Sequence, residues 1–318
     1  MARRVEARAA RDFAAAGASV VLHSPPSPRP VADEHAAEAD GYVREKVEIT
    51  DETYGGQVPF PDLLAAITQH DDAGVIRDIE LGADRVDQFR EAAQIAALAD
   101  RPPPNLECVH MTSCLQHGDR LGWYVFGDCE PLFDLPLRSL ILQGSYFDLG
   151  YAHAPTLEHL ELRILDLRKR DLAALFASEL PSVTTLKLYL GPGTTEMNEV
   201  PESERLEVED LAPLLDGRAF PNVKHLGLQN SYWADSICFA LVDSPILKRL
   251  SRLDLSRGAL SDQGAAHIAA NKEQFSHLDE LDVTNNWLSP DGCTSVKGVA
   301  KRVLDHGHRT QWSVYHPE

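Results

Sequence analysis

Residues 250–288 read LSRLDLSRGALSDQGAAHIAANKEQFSHLDELDVTNNWL, and the pattern that opens this stretch returns near its end. The segment L-x-x-L-x-L begins at Leu250 and, with one conservative change, again at Leu278. Apolar residues at helical spacing lie between the two segments. A short strand would direct the first, fourth and sixth residues of each segment into a core and the others toward solvent. The stretch therefore predicts a repeating unit of one strand and one helix.

Eight copies of this segment follow one another along the chain, and their starts are 30, 31, 20, 26, 40, 27 and 28 residues apart. A period near 28 with this motif is typical of leucine-rich repeats of the longer, helix-containing kind. One repeat cannot bury its own leucines, so stacked repeats must supply the core. We predict an α/β leucine-rich-repeat solenoid (horseshoe), with a parallel β-sheet on the concave face and helices on the convex face. The copies begin at Ile76, Leu106, Leu137, Leu157, Val183, Val223, Leu250 and Leu278. Apolar residues at helical spacing predict helices between copies at 86–99, 172–180, 237–242 and 264–270.

The segments outside the repeats have distinct compositions. We expect residues 1–40 to form a poorly ordered tail with a proline-rich linker, and residues 41–74 to form an N-terminal cap of a strand plus a helix. The repeats occupy 75–305 and contain an acidic insertion at 191–210, which we expect to protrude as a loop. Residues 306–318 supply a capping strand that covers the sheet edge. The copy at Leu137 is too short for a full helix, so the solenoid should bend there.

The last repeats agree with a known type beyond the bare motif. Residues 253–264 follow the pattern L-D-L-S-x-x-x-L-S-D-x-G, and Asn286 occupies the bend position of the next copy. Ser145 and Ser231 occupy the same bend position in earlier copies, where a small polar side chain bonds the backbone. This style closely resembles the ribonuclease-inhibitor type of repeat, and the region from Val75 onward resembles a bacterial family of such proteins without an established activity. The resemblance implies a horseshoe fold and a binding role, and it transfers no catalytic residues.

Composition restricts the classes of function. The 318 residues include 49 acidic and 30 basic ones, a formal charge of −19, which argues against binding of nucleic acid or anionic lipid. No apolar run approaches the roughly 20 residues of a membrane span. The N-terminal arginines are interrupted by Glu6 and Asp12, unlike a targeting signal. The five cysteines have no C-x-x-C spacing, which suits reduced thiols and a cytoplasmic location.

Motifs for catalysis or cofactor binding are missing from the sequence. It contains no H-E-x-x-H, G-x-S-x-G or phosphate-loop pattern, and we interpret His306 and His308 as polar surface, so we expect no metal or cofactor. One alternative is an enzyme with a site assembled across the repeat loops, because Cys108 and His110 share one face of a predicted strand. Another is a structural subunit that uses the convex helices within a larger assembly.

The outward-facing strand positions carry mixed charges with aromatic residues nearby, a combination typical of protein-binding surfaces. Phe147 and Trp233 are assigned to the core, and the neighbouring Tyr146 and Tyr232 to the surface. The preferred hypothesis is a non-catalytic protein–protein interaction module, an adaptor, regulator or inhibitor. The candidate partner-binding residues are Tyr146, Glu158, Glu161, Lys187, Tyr189, Lys224, His225, Tyr232, Arg252, Asp254 and Asp282.

Overall fold

The computed structural model describes residues 46–49, 68, 74, 76–83, 90–113, 125–144, 146–164, 167–191 and 200–308. The predicted tail and linker, most of the predicted cap, and residues 309–318 of the predicted C-terminal strand lie outside these ranges. The strands are β1 (Lys46–Ile49), β2 (Asp78–Ala83), β3 (Cys108–Ser113), β4 (Val125–Asp128), β5 (Ser139–Gly144), β6 (Tyr146–Asp148), β7 (His159–Ile164), β8 (Thr185–Tyr189), β9 (His225–Gln229), β10 (Arg252–Asp254), β11 (Glu280–Asp282) and β12 (Arg302–Leu304). The α-helices are α1 (Arg90–Asp100), α2 (Glu130–Phe133), α3 (Lys169–Ala177), α4 (Ala212–Leu215), α5 (Ala234–Val242), α6 (Asp262–Ala270), α7 (Lys272–Phe275) and α8 (Pro290–Val296).

Ten of the strands form one open, entirely parallel sheet, and their order in space is their order along the chain. The two exceptions are β4 and β6, which pair with each other as a small second sheet. The predicted α/β class with a parallel sheet is therefore confirmed. The register keeps equivalent motif positions side by side, as the fourth positions show: Ile79, Val109, Leu140, Leu160, Leu186, Leu226, Leu253 and Leu281.

The core lies between the sheet and the helices. Strand residues such as Leu140 and Leu186 are fully buried, and they belong to the same apolar cluster as Leu172 of α3, Ile237 of α5 and Ile268 of α6. Each large apolar side chain removed from water contributes about 1.5–3 kcal/mol to stability. The leucines of the repeated segment therefore attach every strand to a shared interior.

The predicted helices exist, but most begin earlier than the apolar pattern indicates. The pattern placed one helix at 264–270, whereas α6 begins at Asp262 because Ser261 caps it, its hydroxyl accepting a hydrogen bond from the Gln263 N–H. Likewise α3 and α5 start three residues before their predicted ranges, 172–180 and 237–242. The short repeat after Leu137 holds β6 and no helix, in line with its length.

The second half of the acidic insertion, 200–210, contacts the rest of the protein, and the prediction of a protruding loop for the whole insertion stays a prediction. From Val200 onward the chain lies on the protein, with Leu206 and Val208 packed against the core. The Nζ atom of Lys169 on α3 is 3.0 Å from a carboxylate oxygen of Glu207. Apolar residues among the acidic ones therefore attach this segment to the protein. The preceding part of the insertion, 192–199, lies outside the described residues.

Polar contacts join consecutive repeats in the C-terminal half. Asp235 of α5 accepts hydrogen bonds from the N–H and the hydroxyl of Ser261, at 2.9 and 2.6 Å. One repeat later, Asp262 accepts the same pair from Ser289, again at 2.9 and 2.6 Å. A Cβ on Gly264 would lie only 2.3 Å from the Asp235 Oδ1 atom, so this position needs glycine. The S-D-x-G motif is therefore an inter-repeat latch, formed by the helix-start aspartate, the next capping serine and the glycine that gives them space.

Asn286 connects the bends. Its side chain is fully buried, and both ends of the amide are satisfied. The Oδ1 atom accepts hydrogen bonds from two N–H groups of the preceding repeat, those of Gly258 and Leu260. The Nδ2 atom donates to three carbonyl oxygens, those of Leu255, Val283 and Thr284. The structural role expected for this bend position is thus observed.

Candidate functional site

The face of the main sheet opposite the helices, called the open face below, carries side chains in rows that run across the strands. The register places in one row, the middle row, the residues Ile141, Glu161, Lys187, Gly227, Asp254 and Asp282. A parallel row two residues earlier on each strand contains Ser139, His159, Thr185, His225, Arg252 and Glu280. The charges of the open face therefore come together from separate repeats.

Glu161 is the centre of the first charged cluster, and its side chain is only 3% exposed. An Oε atom lies 2.5 Å from Arg163 Nε, and the other lies 3.9 Å from Lys187 Nζ and 3.5 Å from His159 Nε2. Burial alone would raise the pKa of Glu161, but the His159 imidazole and the two cations outweigh it and hold that pKa far below its ordinary value. Glu161 is therefore a buried carboxylate that is charged at neutral pH and contacts the side chains of His159, Arg163 and Lys187.

Arg163 extends this cluster along β7 and β8. Its Nη1 atom donates to the Gln143 side-chain oxygen at 3.2 Å, and its guanidinium carbon lies 5.9 Å from the centre of the Tyr189 ring. That distance is within the range of a cation–π interaction. Tyr189 is 7% exposed, so its ring serves mainly to hold the arginine.

Asp254 and Asp282 form the second charged cluster, as direct neighbours on β10 and β11. Asp254 accepts hydrogen bonds from the Gln229 amide at 2.6 Å and from the backbone N–H of Ser256 at 2.9 Å. Asp282 accepts one from the backbone N–H of Thr284 at 2.8 Å. Burial, and secondarily the Asp282 charge, raises the pKa of Asp254 to about 6. Two carboxylates thus stand side by side with neutral donors around them.

Gly227 separates the two clusters in the middle row. A Cβ at this position would lie 3.0 Å from Cγ of Lys187, so the lysine stem rests directly on the glycine backbone. From Glu161 onward, the middle row therefore contains one negative residue, the positive Lys187, Gly227, which has no side chain, and then the two adjacent aspartates.

The structure gathers most of the predicted binding residues on this face, with differing access to solvent. Lys224 is exposed, whereas Glu161 and Tyr189 are buried. Tyr146 lies on β6 of the small sheet, and Tyr232 lies in the turn before α5, so neither belongs to a strand of the main sheet. The half-buried members are Glu158, His225, Tyr232, Arg252, Asp254 and Asp282, together with Lys187.

The sequence analysis did not predict three features of the site. It did not include Arg163 and Gln229 among the site residues, and it did not predict that Gly227 separates the two charged clusters. Arg163 and Gln229 occupy the position directly after the L-x-x-L-x-L segment. The strands continue through that position, and side chains alternate between faces, so it points to the open face. Extending the alternation by one residue would have found them.

Cys108 and His110 lie on one strand, β3, two residues apart. The Nδ1 atom of His110 is 3.6 Å from a carboxylate oxygen of Glu80 on β2. A thiol, an imidazole and a carboxylate thus share one region of the sheet. Burial raises the pKa of two other thiols, Cys129 and Cys238, which makes them poor nucleophiles.

The residues that the structure describes were compared with the requirements of a metal site and of a membrane-spanning helix. In them, no three histidine, cysteine, aspartate or glutamate side chains come close enough together to hold a metal ion. No helix in them combines the length and the apolar character needed to cross a bilayer.

Comparison with known proteins finds a solved structure with a similar fold but does not assign the chain to a family. No family model matches the chain, and no curated protein matches it. A crystal structure of a protein from Bacteroides fragilis, determined by a structural genomics consortium, is similar with a TM-score of 0.70 and 20% sequence identity. The match covers 83% of this chain and 74% of that one. At this identity the likeness concerns the fold alone.

Proposed function

We propose that this chain is a leucine-rich-repeat solenoid that acts as a non-catalytic protein–protein interaction module, an adaptor, regulator or inhibitor working in the cytoplasm. In this proposal the sheet is the concave wall of a horseshoe, and the partner binds its open face. Eight motif copies on eight parallel strands, in chain order, support the architecture. Nearest-neighbour stacking of this kind produces the extended binding surfaces of repeat proteins.

One observation carries the proposed binding role: several charged side chains of the open face are held by contacts within the chain. Glu161, Arg163 and Tyr189 hold one another, and Asp254 is held by Gln229 and Ser256. Side chains that are already ordered lose little conformational entropy on binding, so more of the contact energy appears as affinity. The fixed pattern of charge then selects the partner.

The overall charge favours a protein over a nucleic acid as the partner. A formal charge of −19 repels phosphate backbones at long range. The positive groups on the open face are single residues among negative ones, and Glu161 neutralises Arg163 directly. Such a surface lacks the continuous basic stripe that a nucleic acid requires.

The test is capture of partners from the native organism by the full chain, compared between two double variants. Lys224→Glu with Arg252→Glu reverses one charge on the open face, at Arg252, and one at the exposed residue directly before β9, at Lys224. Lys248→Glu with Lys272→Glu makes the same change in net charge at exposed residues outside the main sheet. We expect the first pair to lose at least tenfold in affinity for the captured protein, and the second pair to bind as the unchanged chain does. Circular dichroism and thermal melts confirm that both variants fold.

Two outcomes would overturn the open-face proposal. One is undiminished capture by the open-face variant, and the other is loss confined to the variant outside the main sheet, which would favour the structural-subunit alternative. The grouping of Cys108, His110 and Glu80 favours an enzyme as the second candidate. An activity of the purified chain that Cys108→Ala abolishes, with the melting temperature kept, would support that enzyme.

A further inference from the structure

We propose that Asp254, Asp282 and Gln229 form a receptor site for an arginine side chain of the protein partner. This inference rests on the proposed function and adds the chemistry of one contact. The site lies on three consecutive strands, β9 to β11, at the end of the middle row.

The two aspartates supply a concentrated negative charge that their own surroundings leave uncompensated by a directly bonded cation. The donors bonded to them in the described residues are neutral: the Gln229 amide, the hydroxyl and backbone N–H of Ser256, and the backbone N–H of Thr284. Lys187 acts on Asp254 through its charge, without a direct bond. Glu161 on the same row differs, because it contacts Arg163 at 2.5 Å. Like charges placed in register repel each other, so a cation bound between them would remove a destabilising contact.

Gln229 gives a second and independent indication of a ligand. Its side chain is only 6% exposed, and its Oε1 atom has no hydrogen-bond partner in the described part of the chain. A buried amide oxygen without a donor costs free energy, whereas a bound donor would recover it. The Nε2 atom of the same amide is bonded to Asp254 at 2.6 Å, so the unused oxygen lies beside the carboxylates.

The set of acceptors fits a guanidinium group. Two carboxylates and an amide oxygen offer several acceptor atoms, and arginine presents five N–H donors in one plane. A lysine ammonium is a compact point charge that cannot bridge the carboxylates in the same bidentate way. A calcium ion would need six to eight oxygen ligands.

The protein's own Lys187 does not fill the site. Its stem rests on Gly227 and its ammonium group is directed to Glu161, 3.9 Å away. Because residue 227 is glycine, no side chain of its own stands between the lysine stem and Asp254 in the middle row. The Lys187 stem covers this glycine, so the guest would approach the aspartates beside the stem, in contact with its methylene groups.

The experiment is a transverse-relaxation-optimised NMR titration of the full, isotope-labelled chain with N-acetyl-arginine amide. We expect weak but saturable shifts of the backbone amides of Gln229, Ser256 and Thr284. The neutral isostere N-acetyl-citrulline amide should produce no saturable shifts, and N-acetyl-lysine amide should bind at least threefold more weakly. Asp254→Asn with Asp282→Asn should weaken arginine binding at least tenfold.

A matched control separates the site from general attraction to an acidic protein. Asp243→Asn with Glu273→Gln removes the same two charges from exposed positions on the helical side and should leave the titration unchanged. The proposal is overturned by an absence of saturable shifts, by shifts centred elsewhere, by equal binding of the lysine or citrulline probe, or by equal losses in both double variants. If the probe fails while Lys224→Glu with Arg252→Glu still abolishes partner capture, the protein-binding function stands and only the arginine contact is wrong.

Discussion

At the scale of single residues, the two charged clusters affect stability in opposite directions. Glu161 has a pKa below its ordinary value, so its charge stabilises the fold above about pH 4.5, and this contribution is lost as the pH falls below that value. Asp254 has a pKa of about 6, above its ordinary 3.8, so the folded chain holds this proton more tightly than the unfolded chain does. Its contribution therefore declines as the pH rises from about 4 to about 6 and stays unfavourable at neutral pH.

The first prediction follows from the unfavourable contribution of the charged Asp254 to stability at neutral pH. Asp254→Asn should stabilise the protein at pH 7 by about 1–3 kcal/mol, because each pKa unit corresponds to about 1.4 kcal/mol and asparagine keeps an oxygen for the Ser256 N–H. The gain should nearly vanish at pH 4, where the native aspartate is protonated in the fold. Urea unfolding at the two pH values measures the difference, with Asp243→Asn as the exposed control. An equal effect at both pH values would show that the carboxyl is not perturbed.

The positions of several site residues could be predicted from the sequence, but their burial could not. Glu161, Lys187, Asp254 and Asp282 were recognisable because they occupy a fixed place within a repeated segment. The burial of Glu161 was not, because it depends on Arg163 and other side chains supplied by neighbouring strands. Such burial is a property of several repeats together, and a single segment does not contain it.

At the scale of secondary-structure elements, helix starts are coupled to the preceding repeat. Asp235 on α5 holds Ser261, the residue that caps α6, and Gly264 leaves room for the aspartate. The serine, aspartate and glycine are visible in the sequence as a motif, but their pairing across repeats is not. For this reason the apolar pattern located α6 correctly and placed its start two residues late.

The latch gives the second prediction. Gly264→Ala should destabilise the chain by about 1–3 kcal/mol, although alanine favours a helix over glycine by about 1 kcal/mol, because the new Cβ would collide with the Asp235 carboxylate. Combining it with Asp235→Ala should cost less than the sum of the two single changes, since one removes the atom that the other strikes. Chemical denaturation of the four chains measures this coupling. Strict additivity would contradict the latch.

At the scale of the whole molecule, each main-sheet strand of the described chain pairs with the main-sheet strands that come before and after it in the sequence, and β4 and β6 are passed over. The repeated segment made this arrangement predictable from sequence. The small sheet of β4 and β6 and the final strand β12 were missed, because none of the three carries the motif. Arg302–Leu304 pairs with β11 through backbone hydrogen bonds, which leave little trace in the side chains.

The third prediction concerns the spread of damage along the sheet. Leu281 is fully buried in β11, and Leu281→Ala should cost about 2–5 kcal/mol. Because stability in such an array is transmitted between neighbours, amide hydrogen exchange should accelerate in β10 to β12 and stay slow in β5 to β8. Leu186→Ala, at an equally buried position in the middle, is the matched control and should accelerate exchange on both sides of β8. Uniform acceleration in both variants would show that the chain unfolds as a single unit.

The regular register of the ten strands arranges the side chains of the open face in a regular array of rows and strands. The strand sets one coordinate of each side chain and the position along the strand sets the other. Neighbouring positions contact each other, as Lys187 and Gly227 do, so a change at one position also affects the next strand. For the proposed binding role, a library that varies only residues 187, 227, 254 and 282 would test how far these positions determine the choice of partner. The backbone hydrogen bonds between the strands do not depend on which side chains the library places at these positions, so every member would keep the same sheet.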